Sequence, residues 1–586
     1  VNVAARRTVS LNGPWRTIVD PYDVGSLDYR AQPLQNNNAF YKDYKPKSKS
    51  ELVEYDFDHS ESLNVPGDWN TQRESLLFYE GTVWYKNSFD YSLEPGNRLF
   101  VHFGAVNYQA AVYLNGSLLG EHEGGFTPFD FEITGKVRAR GNVLVVRVNN
   151  VRKPEQVPTT NTDWWNYGGI TRPVSLVETP GTFIQDYLVQ LEKGSRQRVR
   201  GWVQLNGTQR RQKLEIRIPE AGVTKVVETD TSGRAEFSFS AAVTLWSPET
   251  PRLYEVAIAA ETDQIRDQIG FRSIAVRGLD LLLNSRPVFL RGVNIHEEAP
   301  FRGGRAWSRE DAHTLLTWAK ELGCNFVRLA HYPHNEEMLR EADRLGLMVW
   351  EEIPVYWTIQ WENGETLRNA ENQMNAAITR DRNRASLIIY SVANETPVTE
   401  ARNRFLRALI QDVRSNDDTR LISAALQNRE TKDGNRITIR IDDPVGRDLD
   451  VIGDNEYIGW YVRSPEDADS VEWISDYGKP LIMSEFGGDA LYGYHGDDAT
   501  RWTEEYQENL YRHQIAMLKR IPFLRGISPW VLKDFRSPRR TLPHFEDYFN
   551  RKGLLTSQGE KKKAYFVLQN FYRELQARQQ AELAGR

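Results

Sequence analysis

The sequence predicts a multidomain chain: a β jelly-roll sandwich, an immunoglobulin-like β-sandwich, and a C-terminal (β/α)8 TIM barrel. Three observations carry this. The chain has 586 residues, too many for one hydrophobic core. Up to about residue 277 it reads as short alternating runs split by turn signals, and from about 278 strands and helices alternate. In this later region a pair of short apolar strands, Leu387-Ile388-Ile389-Tyr390-Ser391 and Pro480-Leu481-Ile482-Met483-Ser484, each run into a carboxylate, Glu395 and Glu485. In a parallel barrel the strand C-termini share one face, so both carboxylates fall on the same rim.

Residues 1–180 form the first unit. Arg98 to Phe103 and Asn142 to Val148 read as strands. Ala110 to Leu114 and Ser117 to Leu119 flank Asn115-Gly116, the strongest short hairpin signal. The stretch 29–51, with Gln35-Asn36-Asn37-Asn38 and then several lysines, reads as an exposed loop. Residues 181–277 form the second unit, where Lys213 to Ile218 and Ala235 to Phe239 alternate at period two, and six or seven such strands fit an immunoglobulin-like sandwich.

Residues 278–586 form the barrel. Phe289 to Asn294 is its first strand. Ser308 caps a helix whose apolar stripe is Ala312, Leu315, Leu316, Ala319 and Leu322, ended by Gly323. Asn325 to Leu329 is the second strand, and a helix from Glu336 to Leu345 stops at Gly346. Leu347 to Glu351, Leu387 to Ser391, Leu421 to Ala425, Asp450 to Gly453, Pro480 to Ser484 and Leu524 to Trp530 complete eight strands, and a helix from Lys561 to Arg578 closes the chain.

A net charge of −6 with both signs interspersed offers no basic tract for nucleic acid. No apolar run reaches the ~18 residues of a membrane helix. One cysteine, Cys324, permits no intrachain disulfide and reads as a small buried thiol at a strand start. His296-Glu297-Glu298 is not a zinc-helix spacing, and no calcium loop or phosphate-binding glycine loop is present in the sequence, so neither metal nor cofactor is expected. The chain starts at Val1 rather than Met, and the expected setting, with a removed leader, is periplasmic or secreted.

Two carboxylates facing each other across a pocket are the usual apparatus for glycoside hydrolysis. The chain resembles glycoside hydrolase family 2 over essentially its whole length. The carrying motifs are Asn161-Thr162-Asp163-Trp164-Trp165-Asn166-Tyr167-Gly168-Gly169-Ile170, Leu245-Trp246-Ser247-Pro248, Arg291-Gly292-Val293-Asn294-Ile295, Arg328-Leu329-Ala330-His331-Tyr332-Pro333-His334, Asn394-Glu395 and Ser484-Glu485-Phe486-Gly487. Within the family the likeness is to bacterial β-glucuronidases, on Asn550-Arg551-Lys552 after the eighth strand. In that group the Asn and Lys bind the C6 carboxylate of the sugar. A charge-assisted hydrogen bond from Lys552 suits a uronate, and a neutral hexose would leave the ammonium without its anion.

The resemblance implies a retaining exo-acting hydrolase with Glu485 as nucleophile and Glu395 as acid/base, their carboxyls about 5–5.5 Å apart. It implies that Asn394 bonds the sugar 2-hydroxyl and that Asp163 reaches from the first unit to a sugar hydroxyl. His296 and His331 either line the pocket or are core histidines. Tyr457 and Tyr461 either orient Glu485, touch the uronate, or only pack. Trp530 is placed for the pocket floor. The stretch from Glu352 to the helix near Asn369 is short, implying an open mouth, and Glu456 has no assigned role. The expected partner is a β-glucuronide, with a homo-oligomer expected by resemblance. A β-galacturonidase or β-galactosidase of the same build remains open, as does a carbohydrate-binding protein with an inactive barrel; the presence of both Glu395 and Glu485 speaks against the last.

Overall fold

The computed structural model describes residues 1–3, 5–434 and 436–584. The first unit is a two-sheet antiparallel sandwich. Its larger sheet runs Ser62–Val65, Gly13–Asp20, Thr82–Phe89, Asn142–Asn149, Gln109–Leu114, Ser117–Glu123, and its smaller one Thr8–Ser10, Val174–Thr179, Arg98–Phe103, Phe129–Glu132. Val83, Tyr85, Val101 and Val146 meet between the sheets. The hairpin at Asn115-Gly116 forms with φ of 52° and 79°, the left-handed pair that a two-residue turn requires.

The stretch 29–51 partly corrects the sequence reading. Its polar composition hides Phe40, which begins a 3-10 turn, Phe40–Lys42, and lies buried with Phe57 against Trp84. Strand Thr82–Phe89 is thus covered on both faces, by the sandwich core on one and by this loop on the other. A single anchoring aromatic in a polar run gives no periodic signal.

Seven strands make the second unit, in sheets Phe183–Leu191, Arg198–Asn206, Arg234–Ser240 and Val223–Glu228, Lys213–Ile218, Tyr254–Ala260, Gln264–Ile269. Their alternate residues, such as Val199, Val203 and Leu205, fill one core.

The barrel strands are Phe326–Ala330, Met348–Glu352, Leu387–Asn394, Leu421–Leu426, Ile452–Asn455, Leu481–Glu485 and Leu524–Ile527, all parallel neighbours. The first strand comes in two pieces. Leu290–Arg291 pairs with the eighth strand and Asn294–His296 with the second, which closes the cylinder. Phe326, Met348, Trp350, Ile389 and Ile482 pack its lower end, where Trp246 of the second unit joins them. Helix Arg309–Leu322 carries the expected Ser308 cap, which forms a capping box with Asp311, and Glu336–Leu345 ends at Gly346 as expected. Cys324 is buried just before the second strand, and burial pushes its thiol pKa up.

Helices Glu400–Asn416 and Glu504–Leu518 were not read from the sequence, and the helix expected near Asn369 is Gly364–Asp381. No such helix follows the fifth or sixth strand among the described residues. A small sheet of Arg429–Asp433, Arg436–Ile441 and Val471–Ser475 takes that side instead. The last helix, Lys563–Ala584, starts and ends later than expected.

Buried polar contacts fix the units on one another. Arg172 of the first unit holds both Glu297 oxygens, at 3.1 and 3.0 Å. Asp267 of the second unit pairs with Arg384, and Trp246 Nε1 donates to the Asp343 carbonyl at 2.8 Å. Buried ion pairs contribute little net stability against apolar replacements, but breaking one costs about 3–5 kcal/mol, so they penalise misalignment of the units.

Candidate active site

The two predicted carboxylates stand at the C-terminal ends of the fourth and seventh barrel strands, on one rim. Strand Leu481–Glu485 delivers Glu485 as its last residue. Arg328, at the middle of the second strand and fully buried, donates from Nη1 to Glu485 Oε1 at 2.7 Å. The Tyr457 hydroxyl donates to Glu485 Oε2 at 2.7 Å, and His331 Nε2 lies 3.9 Å from Oε1. Each oxygen of Glu485 therefore meets a donor, which fixes the orientation of the carboxyl group.

Arg328 also grips Glu352, Nε to Oε2 at 3.0 Å and Nη2 to Oε1 at 2.9 Å, and donates to Asn394 Oδ1 at 2.7 Å. Burial alone would raise the Glu352 carboxyl, yet Arg328 and His331 hold it at about 2. Glu352 thus remains an anion that anchors the guanidinium beneath the site. The Trp350 indole N–H, 2.8 Å from Glu352 Oε2, and His331 Nδ1, 2.7 Å from Oε1, complete its shell.

Glu395 sits one residue past strand Leu387–Asn394, where the pairing with the fifth strand slips register between Ser391 and Asn394. Its φ of 51° is unusual for a residue with a side chain and costs about 1 kcal/mol or more. The Trp357 indole donates to Oε2 at 2.8 Å and Asn455 Nδ2 to Oε1 at 2.9 Å. Asn455 is oriented in turn by Ser484, whose hydroxyl lies 2.7 Å from its Oδ1. Burial, and then the Glu485 charge, push the Glu395 pKa up, against the two hydrogen bonds. One carboxyl is thus biased towards its acid form beside another surrounded by donors, the division of labour that glycoside hydrolysis needs.

A third feature lies across the pocket. Lys552 is buried, its Nζ 2.5 Å from Asp489 Oδ2 and 2.9 Å from the Tyr461 hydroxyl. An ammonium has three donors, so one remains for a ligand. Lys552 Nζ stands 5.9 Å from the Tyr457 ring, the same tyrosine that holds Glu485. Asn550 accepts the Lys552 backbone N–H at 3.1 Å and points its amide to Asp163 Oδ2 at 3.3 Å.

The family model described as Glycosyl hydrolases family 2, TIM barrel domain, matches residues 274–577, and the sugar binding and central models of the same family match 9–180 and 182–272. The chain belongs to glycoside hydrolase family 2. It is 28% identical to a β-glucuronidase of Paenibacillus borealis over 97% of each chain. A solved β-glucuronidase of an uncultured Clostridium sp. superposes with a TM-score of 0.82 at 25% identity, covering 98% of this chain and 99% of that one. A β-galacturonidase of Eisenbergiella tayi, solved with galacturonate, shares the fold at a TM-score of 0.79 and 23% identity, covering 97% of this chain and 98% of that one.

In this family 2 chain the other residues singled out from sequence fall as follows. Asp163 does enter the barrel mouth from the first unit, but it is heavily engaged: Ser537 Oγ lies 2.6 Å from Oδ1, Arg540 Nε 3.1 Å, and Arg540 Nη2 pairs with Oδ2. Asn394 keeps its amide nitrogen without a partner among the described residues, a donor left for a ligand. His331 is buried and stacks on Trp530 with centroids 4.9 Å apart. His296 is buried too, its Nδ1 3.1 Å from the Tyr332 hydroxyl and its ring stacked on Phe535. Burial, and then His331, push its pKa well below the ordinary value, so it stays neutral. Tyr461 is exposed at the rim, whereas Tyr457 is half-buried.

Sequence reasoning missed Arg328, Glu352, Asn455, Trp357, Asp489 and Arg540 as site residues. Arg328 stands inside a motif already singled out and Asn455 beside Glu456 and Tyr457, and an Arg within a barrel strand was a usable signal. Trp357 and Asp489 lie in irregular segments and carried none.

Proposed function

We propose that this chain hydrolyses terminal β-D-glucuronides with retention of configuration. Glu395 gives its proton to the glycosidic oxygen as the Glu485 carboxylate attacks the anomeric carbon. The bond to the leaving group breaks and a glycosyl ester on Glu485 forms. Glu395, now ionised, takes a proton from water, which attacks the same carbon and returns Glu485 to its carboxylate. Arg328 and Tyr457 hold Glu485 aimed, and the unpartnered amide of Asn394 is the donor for the hydroxyl next to the anomeric carbon.

The observation that carries the substrate choice is Lys552. It is a buried ammonium with a spare donor, its Nζ 5.9 Å from the ring of Tyr457, whose hydroxyl holds the nucleophile. A uronate carboxylate there gains a charge-assisted hydrogen bond, and a hydroxymethyl group gains none of that charge. The β-glucuronidase names of the relatives support the same reading.

The test is turnover of p-nitrophenyl β-D-glucuronide by the wild type and by Glu485→Gln, with the first-formed sugar followed by proton NMR. The expected result is β-glucuronic acid as first product and a loss of about four orders of magnitude or more in kcat for the variant. An α first product would contradict retention, and undiminished turnover by Glu485→Gln would remove the nucleophile assignment.

A further inference from the structure

The acid side of the pocket carries a cation that the hydrolysis itself does not use. Trp357, half-buried, donates its indole N–H to Glu395. The leaving-group oxygen must approach Glu395 to within hydrogen-bond distance to receive its proton. Whatever is attached to that oxygen therefore lies beside Trp357. Two groups pack on this indole: the Tyr356 ring, with centroids 4.4 Å apart, and the Arg539 guanidinium, 4.9 Å from the ring centre. The surface offered to the leaving group is thus charged and not a bare aromatic platform.

Arg539 is held from its other side by the first unit, Nη1 donating to Asn161 Oδ1 at 2.6 Å. Asn161 belongs to the loop that brings Asp163 into the barrel. Two neighbouring guanidinium groups are paired with carboxylates, Arg540 with Asp163 and Arg551 with Asp534. Arg539 is exposed and pairs with no carboxylate among the described residues. Its planar fork has five donors, of which Asn161 takes one. Such a fork, fixed at its flat face and at one edge, presents its other edge for bidentate contact with a sulfate or carboxylate.

We infer that Arg539, stacked on Trp357, reads an anionic group on the leaving side of the substrate, so that the preferred aglycone is a sugar bearing sulfate or carboxylate. This rests on the glucuronide reading above and adds the chemistry of the unit to which the glucuronide is attached. It also gives the loop from the first unit a role in substrate choice, since Asn161 fixes the guanidinium.

The test compares kcat/KM on four substrates: p-nitrophenyl β-D-glucuronide, a glucuronyl disaccharide with a neutral second sugar, and its forms carrying a sulfate or a carboxylate at the hydroxymethyl position of that sugar. Wild type, Arg539→Gln and Arg539→Lys are measured. The wild type is expected to prefer an anionic form over the neutral disaccharide by about five- to tenfold, expressed in KM. Arg539→Gln brings that ratio to about one, and Arg539→Lys keeps some of it. Raising ionic strength erodes the wild-type preference, because the contact is exposed. A preference confined to sulfate, or confined to carboxylate, supports the inference and identifies the source of the anion. Equal losses on neutral and anionic disaccharides would reduce Arg539 to a support for Trp357, and a wild type indifferent to the anion would overturn the inference while leaving the glucuronide reading intact. Failure of the wild type on the p-nitrophenyl substrate together with the disaccharides would overturn both readings.

Discussion

Glu456 lies between the two residues of its loop that touch the catalytic pair, Asn455 on Glu395 and Tyr457 on Glu485. It is 4% exposed. Its Oε2 accepts the Ile458 N–H at 2.8 Å, and its Oε1 has no partner among the described residues. Burial pushes its pKa up to about 8, against the Ile458 hydrogen bond. The unfolded chain releases this proton near the ordinary 4.5. Below that pH the group is protonated in both states. As pH rises, the unfolded state deprotonates first and gains, so stability falls until the folded state also lets its proton go near 8. The gap of about 3.5 pH units at 1.36 kcal/mol each makes the loss about 5 kcal/mol.

Glu456→Gln keeps the shape and an acceptor for Ile458 but does not titrate. Its buried amide costs about 1–3 kcal/mol at every pH. The assay is the thermal midpoint of both proteins across pH 5 to 9. With about 2.1 cal/mol/K per residue over a barrel of roughly 300 residues, 5 kcal/mol corresponds to about 8 °C. The wild type is expected to be equal or superior at pH 5 and to fall below the variant at pH 9. Parallel curves would refute the claim that this carboxyl is held neutral.

Two further outcomes follow from the same contacts. The Trp357 hydrogen bond favours the ionised form of Glu395, so Trp357→Phe is expected to raise the pKa of the acid and move the alkaline limb of kcat/KM upward, as read from a pH–rate profile. Lys552→Ala leaves Asp489 buried without its cation and is expected to cost about 3–5 kcal/mol in denaturant unfolding. The double variant Lys552→Ala with Asp489→Ala recovers most of that stability but not glucuronide turnover, which separates the structural role of Lys552 from its role towards substrate.

The three-unit architecture was legible because its periodicities differ, period two up to about 277 and then strand–helix alternation. Helix caps were legible where chemistry marks them, as at Ser308, Gly323 and Gly346. Helix Glu400–Asn416 was missed because its many polar residues blur the apolar stripe. The stretch 29–51 is an exposed loop over most of its length, and only Ala39 and Phe40, which carry no periodic signal, are buried. In the site, the two carboxylates and Lys552 were legible from strand-end position and motif. The contacts that set their protonation were not, since Arg328 to Glu485 and Trp357 to Glu395 join segments 157 and 38 residues apart. Asp163 was expected to await a sugar hydroxyl, and only its neighbours in space, Arg540 and Ser537, reveal how far its carboxylate is already satisfied.

The central claim is that a buried ammonium opposite the nucleophile selects a charged sugar. The most direct measurement is kcat/KM on p-nitrophenyl β-D-glucuronide beside the matching β-D-galacturonide, β-D-galactoside and β-D-glucoside. The account expects the glucuronide to lead, exceeding the glucoside by about a hundredfold or more, as a charge-assisted contact of about 3 kcal/mol implies. A lead for the galacturonide would keep Lys552 and move the choice to the contacts of the C4 hydroxyl. A neutral sugar turned over as well as or better than the glucuronide would contradict the claim.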